Sequence, residues 1–249
     1  MNIRAITSLL LLATLAFLGC KPDNSKERAP VEERVITIAP TDKSIVVYFS
    51  RAGEQMDVGF IVEGNTSIVA RNIANKVGAD LFEVKPKVDK YNLSYRQLSD
   101  LAKKEQDVNA RPEYLEPGPD LSQYDVIFFG APVWWSDWPM IMYTFFEANE
   151  LQGKKLIPFS THAGGALSGF DRKLSRYYPY CDILRGHGFL GETAQNNPTW
   201  LDREINDWLK VIGFEIKPET ENAAESTSEE LDVDDSVESP SPDAGANSQ

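Results

Sequence analysis

Three short segments of this chain carry residue types whose spacing suits chemistry. Ser50-Arg51-Ala52-Gly53 and, after ten intervening residues, Gly64-Asn65-Thr66 combine hydroxyl and amide side chains with the start of a helical period. A helix N-terminus presents unpaired N–H groups and a favourable dipole, so this set suits a phosphate held by neutral donors. No Walker-type lysine follows, which counts against nucleoside triphosphate hydrolysis and favours a monophosphate. The plainer alternative is that Asn65 or Thr66 only caps the helix.

The second segment, Gly130-Ala131-Pro132-Val133-Trp134-Trp135-Ser136-Asp137-Trp138-Pro139, places three tryptophans within five residues just past an apolar run. Indoles are costly to expose and are explained by a flat ligand that stacks on one of them. Trp134 or Trp135 suits that role, while Trp138 suits closure over the core or a subunit contact. The third segment is Ser160-Thr161-His162-Ala163-Gly164-Gly165-Ala166. Gly164 and Gly165 let the backbone approach a ligand closely and offer N–H groups to its polar edge. His162 is one of two histidines, and backbone contact from this loop outweighs imidazole chemistry.

Each segment must be positioned by the element before it. Ile45–Phe49, Val126–Phe129 and Leu156–Phe159 are continuous apolar runs, as expected of parallel strands covered on both faces. Leu81–Val84 is a fourth strand, and a fifth lies within Ile183–Leu190, where Gly186 and Gly188 blur its limits. Helical periods fall between them: Val69, Ile73 and Val77; Leu98, Leu101, Ala102 and Val108; Leu167, Phe170, Leu174 and Tyr177; and Leu201, Ile205, Trp208, Leu209 and Ile212. Pro139 suits the first turn of a further helix through Glu147. Strands alternating with helices predict an α/β fold, a doubly wound sheet of five parallel strands with helices on both faces. Ligands of such sheets sit beyond the carboxyl ends of the strands.

The chain has 249 residues and a formal net charge of −13, an acid excess that argues against nucleic acid as a partner. Ten of the acidic residues fall between Glu219 and Gln249, where no Lys or Arg occurs. Residues 218–249 are rich in Glu, Asp, Ser, Pro and Ala and have no aromatic residue, so they read as a disordered tail. At the other end, Arg4 precedes the apolar run Ala5–Leu18, and Leu18-Gly19-Cys20 resembles the lipobox of bacterial lipoproteins. That reading makes residues 1–20 a signal peptide with Cys20 as the lipidation site. Residues 21–43, with Pro22, Pro30 and Pro40, form a polar linker, and 44–217 is one folded domain. It puts the protein in the bacterial cell envelope, lipid-anchored to a membrane surface on the periplasmic side. Cys181 would be the remaining thiol, and a buried structural role is its default.

Tyr48-Phe49-Ser50-Arg51-Ala52-Gly53, Gly64-Asn65-Thr66, Gly130-Ala131-Pro132-Val133-Trp134-Trp135 and Phe159-Ser160-Thr161-His162 together resemble bacterial proteins of the flavodoxin family, over about residues 44–213. The resemblance implies a flavodoxin-like fold with non-covalent FMN. It implies Ser50, Arg51, Asn65 and Thr66 around the phosphate and Pro132, Val133, Trp134 and Trp135 beside the flavin ring. Thr161, His162, Gly164 and Gly165 would lie at the pyrimidine edge. The common flavodoxin phosphate loop is compact, whereas this chain inserts Glu54–Glu63, as a longer-looped subset of the family does. Phe60, Ile61 and Val62 in the insertion either cover the flavin, contact a partner or pack on the domain edge. No metal cluster, Ser/His/Asp spacing or paired carboxylates stand out, so the flavin carries the chemistry. The leading expectation is an FMN electron carrier serving a redox partner protein or a small donor or acceptor. The alternatives are an FMN-dependent NAD(P)H:quinone or flavin oxidoreductase, and a binding module for another planar ligand.

Overall fold

Apolar runs buried on both sides need a helical layer on each face of their sheet, and the chain supplies both. The computed structural model describes residues 36–216. Its elements are β1 (Ser44–Tyr48), β2 (Gly53–Gln55), β3 (Gly59–Ile61), α1 (Asn65–Val77), β4 (Asp80–Glu83), α2 (Tyr95–Asp107), β5 (Val126–Pro132), α3 (Met140–Ala148), β6 (Lys155–His162), α4 (Phe170–Tyr177), β7 (Asp182–Ile183), β8 (His187–Leu190), α5 (Gly191–Asn196) and α6 (Pro198–Val211). Cys20, the signal at 1–20, most of the linker at 21–43 and the tail from 218 lie outside the described residues. Among the described residues, no helix is long and apolar enough to cross a membrane.

The sheet runs β4-β1-β5-β6, with β7 and β8 both paired to the outer edge of β6, and every pairing is parallel. The fifth strand is therefore broken in two. Asp182–Ile183 pairs with the start of β6 and His187–Leu190 with its end. Between them Gly186 crosses so close to Pro158 that a Cβ would overlap the Pro158 carbonyl. Because β4 lies on one side of β1 and β5 on the other, the strand order reverses at β1 and opens a crevice beyond the strand ends.

Strand side chains alternate between the two layers. Ile45, Val47, Phe49, Ile127, Phe129 and Leu156 join one core with Leu98 of α2, Ile141 and Phe145 of α3, and Phe170 and Leu174 of α4. Val46, Tyr48, Val126, Phe128, Ile157 and Phe159 join the other with Val69 and Ile73 of α1, Ala194 of α5, and Leu201, Ile205 and Leu209 of α6. Each fully buried Val, Leu, Ile or Phe contributes roughly 1.5–3 kcal/mol, so both layers are well anchored. Ile36, Ile38, Phe214 and Ile216 pack against the second core.

Three local features differ from the sequence pattern. The insertion 54–63 folds as an antiparallel hairpin, β2 on β3, with Glu54 opposite Phe60. Helix α4 starts at Phe170 rather than Leu167, because Gly164, Ala166, Ser168 and Gly169 take positive φ and form a turn that no helix can include. A short helix, α5, follows β8 without an apolar period to announce it.

Candidate functional site

Strands β5 and β6 continue past their apolar runs, so Pro132 and His162 are strand residues and the segments that follow start from fixed positions. The ladder extends further, with Val133 N–H donating to the Thr161 carbonyl at 2.9 Å. Beyond these ends, at the crevice where the strand order reverses, lies a cleft of about 170 Å³. Its walls include Arg51, Asn65, Thr66, Trp134, Thr161 and His162, with Pro132 and Val133 beside them.

One end of the cleft is the start of α1. Gly64 occupies the N-cap with no side chain to close it, leaving the first-turn amides of Asn65 and Thr66 without intrahelical partners. A Cβ on Gly64 would overlap Ser50 Oγ and the Arg51 carbonyl, so only glycine lets the 50–51 turn approach this closely. Ser50 Oγ accepts the Ser67 N–H at 3.0 Å and thereby serves the helix start. Thr66 and Thr161 meet through their hydroxyls at 2.7 Å, both buried. One proton is spent between them, and the accepting hydroxyl keeps its own to donate to a ligand. Asn65 Oδ1 accepts from Gln195 Nε2 at 2.8 Å, which leaves the Asn65 amide NH₂ as a donor. Thr161 thus stands with the α1 group.

Arg51 lines the cleft, but its guanidinium is held by carbonyls. Nε donates to Tyr91 O at 2.9 Å, and the two terminal nitrogens donate to Glu54 O and Leu93 O. It ties the β2–β3 hairpin to the 89–93 loop. Burial lowers its pKa against the opposing pull of Glu54 and Asp89.

The aromatic wall is Trp134. Its ring lies edge-on to Phe49 at 5.4 Å and to Tyr91 at 5.2 Å, and Tyr91 in turn lies 5.6 Å from Phe49. Tyr91 is locked by its hydroxyl, which donates to the buried Glu105 carboxylate at 3.1 Å, and Lys90 Nζ stands 2.5 Å from the same carboxylate. Burial, reinforced by Glu105, pushes the Tyr91 phenol well above its ordinary value, so its proton stays in place. Trp135 turns away instead. Its φ of 50° reverses the chain, its indole N–H donates to Ser99 O at 2.9 Å, and half of it is exposed outside the cleft. Trp138 is buried and stacks on Phe170 at 3.7 Å, which is the core-closing role.

In the glycine loop, Gly164 N–H donates to His162 Nδ1 at 2.9 Å and the Gly165 carbonyl accepts the Ser168 hydroxyl. Both glycines therefore brace their own turn, while Ala163 and His162 face the cleft. Burial lowers the His162 pKa, opposed by a hydrogen bond to the Gly188 backbone. The cleft also takes in Met56 and Asp57 of the hairpin tip, Tyr95 and Leu98 of α2, and Leu190, Gly191 and Glu192 between β8 and α5. Met56 and Asp57 belong to the 54–63 insertion and Leu98 to a helical period, whereas no motif marked Tyr95, Gly191 or Glu192; Gly191 abuts Asn65 so tightly that a Cβ would overlap its amide. Phe60 and Val62, in contrast, project into solvent from the hairpin.

The residues present fit a phosphate joined to a planar ring. Uncapped amides, a hydroxyl proton and a side-chain amide line part of the cleft, and the Trp134 indole and the His162–Ala163 turn also line it. Comparison with known proteins agrees. A profile of the family described as Flavodoxin matches residues 43–204. A candidate flavoprotein from Bacteroides eggerthii DSM 20697 is 26% identical with a TM-score of 0.54, covering 70% of this chain and 99% of its own. A second, from Bacteroides uniformis ATCC 8492, is 26% identical with a TM-score of 0.53, covering 68% and 98%. A flavoprotein from Lactobacillus acidophilus NCFM, crystallised with FMN, is 20% identical with a TM-score of 0.47, covering 61% and 95%. No curated protein matches the chain.

Proposed function

The chain belongs to the flavodoxin family of FMN-binding proteins, and from that premise we propose that it is an electron carrier. The observation that carries this reading is the cleft itself. At about 170 Å³ it is smaller than the ~300–1,000 Å³ of pockets that enclose their ligands. A ring held against Trp134 therefore keeps an edge in solvent, where electrons pass to a partner without that partner entering the site.

FMN, when bound, supplies one- and two-electron chemistry. The chain's own residues hold and tune it. The first-turn amides of α1 and the Thr66–Thr161 hydroxyl pair receive the phosphate. Trp134 offers an electron-rich face, and among the described residues the one cation in the cleft wall, Arg51, is already committed to carbonyls. An indole and few free cations disfavour negative charge on an adjacent ring, which lowers the potential for adding electrons to it.

Potentiometric titration of the FMN-loaded chain together with a nicotinamide assay tests this. Two well-separated one-electron steps, with NADH or NADPH oxidation in the presence of a quinone no faster than free FMN gives, support a carrier. Rapid steady-state nicotinamide oxidation would instead make the protein an FMN-dependent oxidoreductase. By the same reading the domain is tethered at the outer side of a bacterial membrane through acylated Cys20. Loss of membrane association in Cys20→Ser supports that placement, and retention refutes it.

A further inference from the structure

The domain has a second cavity beside the flavin cleft. About 350 Å³ opens between the end of α2, the turn after β5, and helices α3 and α4, within the size range of small-molecule sites. Its walls are Gln106 and Asn109, Met140 and the ring of Tyr143, and Arg176 and Tyr177. Asp137 and Lys173 complete the lining, so Lys173 and Arg176 against Asp137 leave one positive charge in excess.

The charges in this lining are not equivalent. Lys173 Nζ pairs with Asp137 Oδ1 at 2.9 Å and donates to the Ser136 and Ser168 carbonyls, so it is fully used. The Asp137 carboxylate also accepts the Trp138 N–H and the Tyr143 hydroxyl, both at 2.7 Å. Neighbouring Arg111 is held by both oxygens of Glu147. Arg176 differs: among the described residues its guanidinium makes no hydrogen bond or ion pair. Exposed Arg176 thus brings an uncommitted fork of N–H donors to a lining that also holds Tyr143, Tyr177 and Met140, and Asn109 keeps its amide NH₂ as a further donor.

We propose that this cavity is a second binding site, for a small ring-bearing monocarboxylate. The carboxylate meets the Arg176 fork in a bidentate pair, and the ring lies against Tyr143, Tyr177 and Met140. A single excess charge matches a monoanion better than a dianion such as phosphate. The site adjoins the flavin cleft through one turn, because Asp137 and Trp134 exchange backbone hydrogen bonds at 2.9 and 3.0 Å. Its occupant is placed to report on, or act beside, the indole that lines that cleft.

Isothermal titration of the full chain with benzoate tests the proposal, run on FMN-free and FMN-loaded protein. Expected is saturable one-to-one binding in both forms, weakened at least about tenfold in Arg176→Gln and less in Arg176→Lys, which keeps the charge and loses the fork. Arg176 is exposed, and a thermal melt confirms that each variant folds. Acetate, which lacks the ring, and benzyl alcohol, which lacks the charge, should bind at least about tenfold more weakly than benzoate. Absence of saturation, equal binding to Arg176→Gln, acetate or phosphate binding as tight as benzoate, or displacement of FMN by benzoate would each overturn it. Because the FMN-free chain is titrated as well, failure of the flavin reading leaves this test intact.

Discussion

Replacing Trp134 or Trp135 by alanine distinguishes two neighbouring indoles that have the same sequence context. Trp134 lines the cleft, while the Trp135 ring is held on α2 by its N–H bond to Ser99 and by Lys103, whose Nζ is 5.9 Å from the ring centroid. Loss of an indole that stacks on a planar ring costs about 1–3 kcal/mol, so Trp134→Ala should weaken FMN binding roughly 5- to 150-fold. Trp135→Ala removes no cleft surface and should leave the affinity within about twofold. Trp134→Ala also deletes the edge contacts to Phe49 and Tyr91, worth about 0.5–1.5 kcal/mol each, so the FMN-free variant should unfold at a lower temperature. Affinity is therefore measured by fluorescence titration of FMN well below that transition, and Trp134→Phe, which keeps an aromatic face, should fall between wild type and alanine. An unchanged affinity in Trp134→Ala, or a larger loss in Trp135→Ala, would refute the assignment of the aromatic wall.

Thr161→Val strands the buried Thr66 hydroxyl and should cost about 1–3 kcal/mol of stability in denaturant titration. Adding Thr66→Val should restore much of that loss in the FMN-free chain while weakening FMN binding further. Gly130→Ala drives a Cβ into the buried Phe159 ring, and urea unfolding should show a loss of about 1–3 kcal/mol. His162 has a depressed pKa because it is partly buried, so the unfolded chain takes up its proton first. Its contribution should be present above about pH 6.5 and lost as pH falls through the lower folded value, where a protonated Nδ1 also ceases to accept from Gly164. A Tm-against-pH curve for His162→Asn should lack that component, and an identical curve would show that His162 does not titrate as described.

The fold was legible because its signals are local and redundant. Continuous apolar runs marked β1, β5 and β6, and the periods at 69–77 and 201–212 marked the helices that cover one face. What escaped was not carried by apolar spacing. The split of the last strand depends on Gly186 meeting Pro158, and the early turn before α4 depends on a run of positive φ that no apolar spacing encodes. At the site, the three segments do converge on one cleft, but the roles within them follow from partners that sequence does not reveal. Ser50 serves Ser67, Arg51 serves carbonyls of two loops, Trp135 serves α2, and Gly164 serves His162. Thr161 joins the α1 group only because β6 brings it opposite Thr66. The hairpin formed by the 54–63 insertion adds Met56 and Asp57 to the wall and leaves Phe60 and Val62 in solvent.

The most direct test is an absorption spectrum of the purified domain after incubation with excess FMN and removal of the free cofactor. Expected is a yellow protein that retains about one FMN per chain, with a flavin spectrum perturbed by the stacked indole and restored toward that of free FMN in Trp134→Ala. Protein that comes through the same procedure folded and colourless would contradict the central claim that this cleft holds FMN.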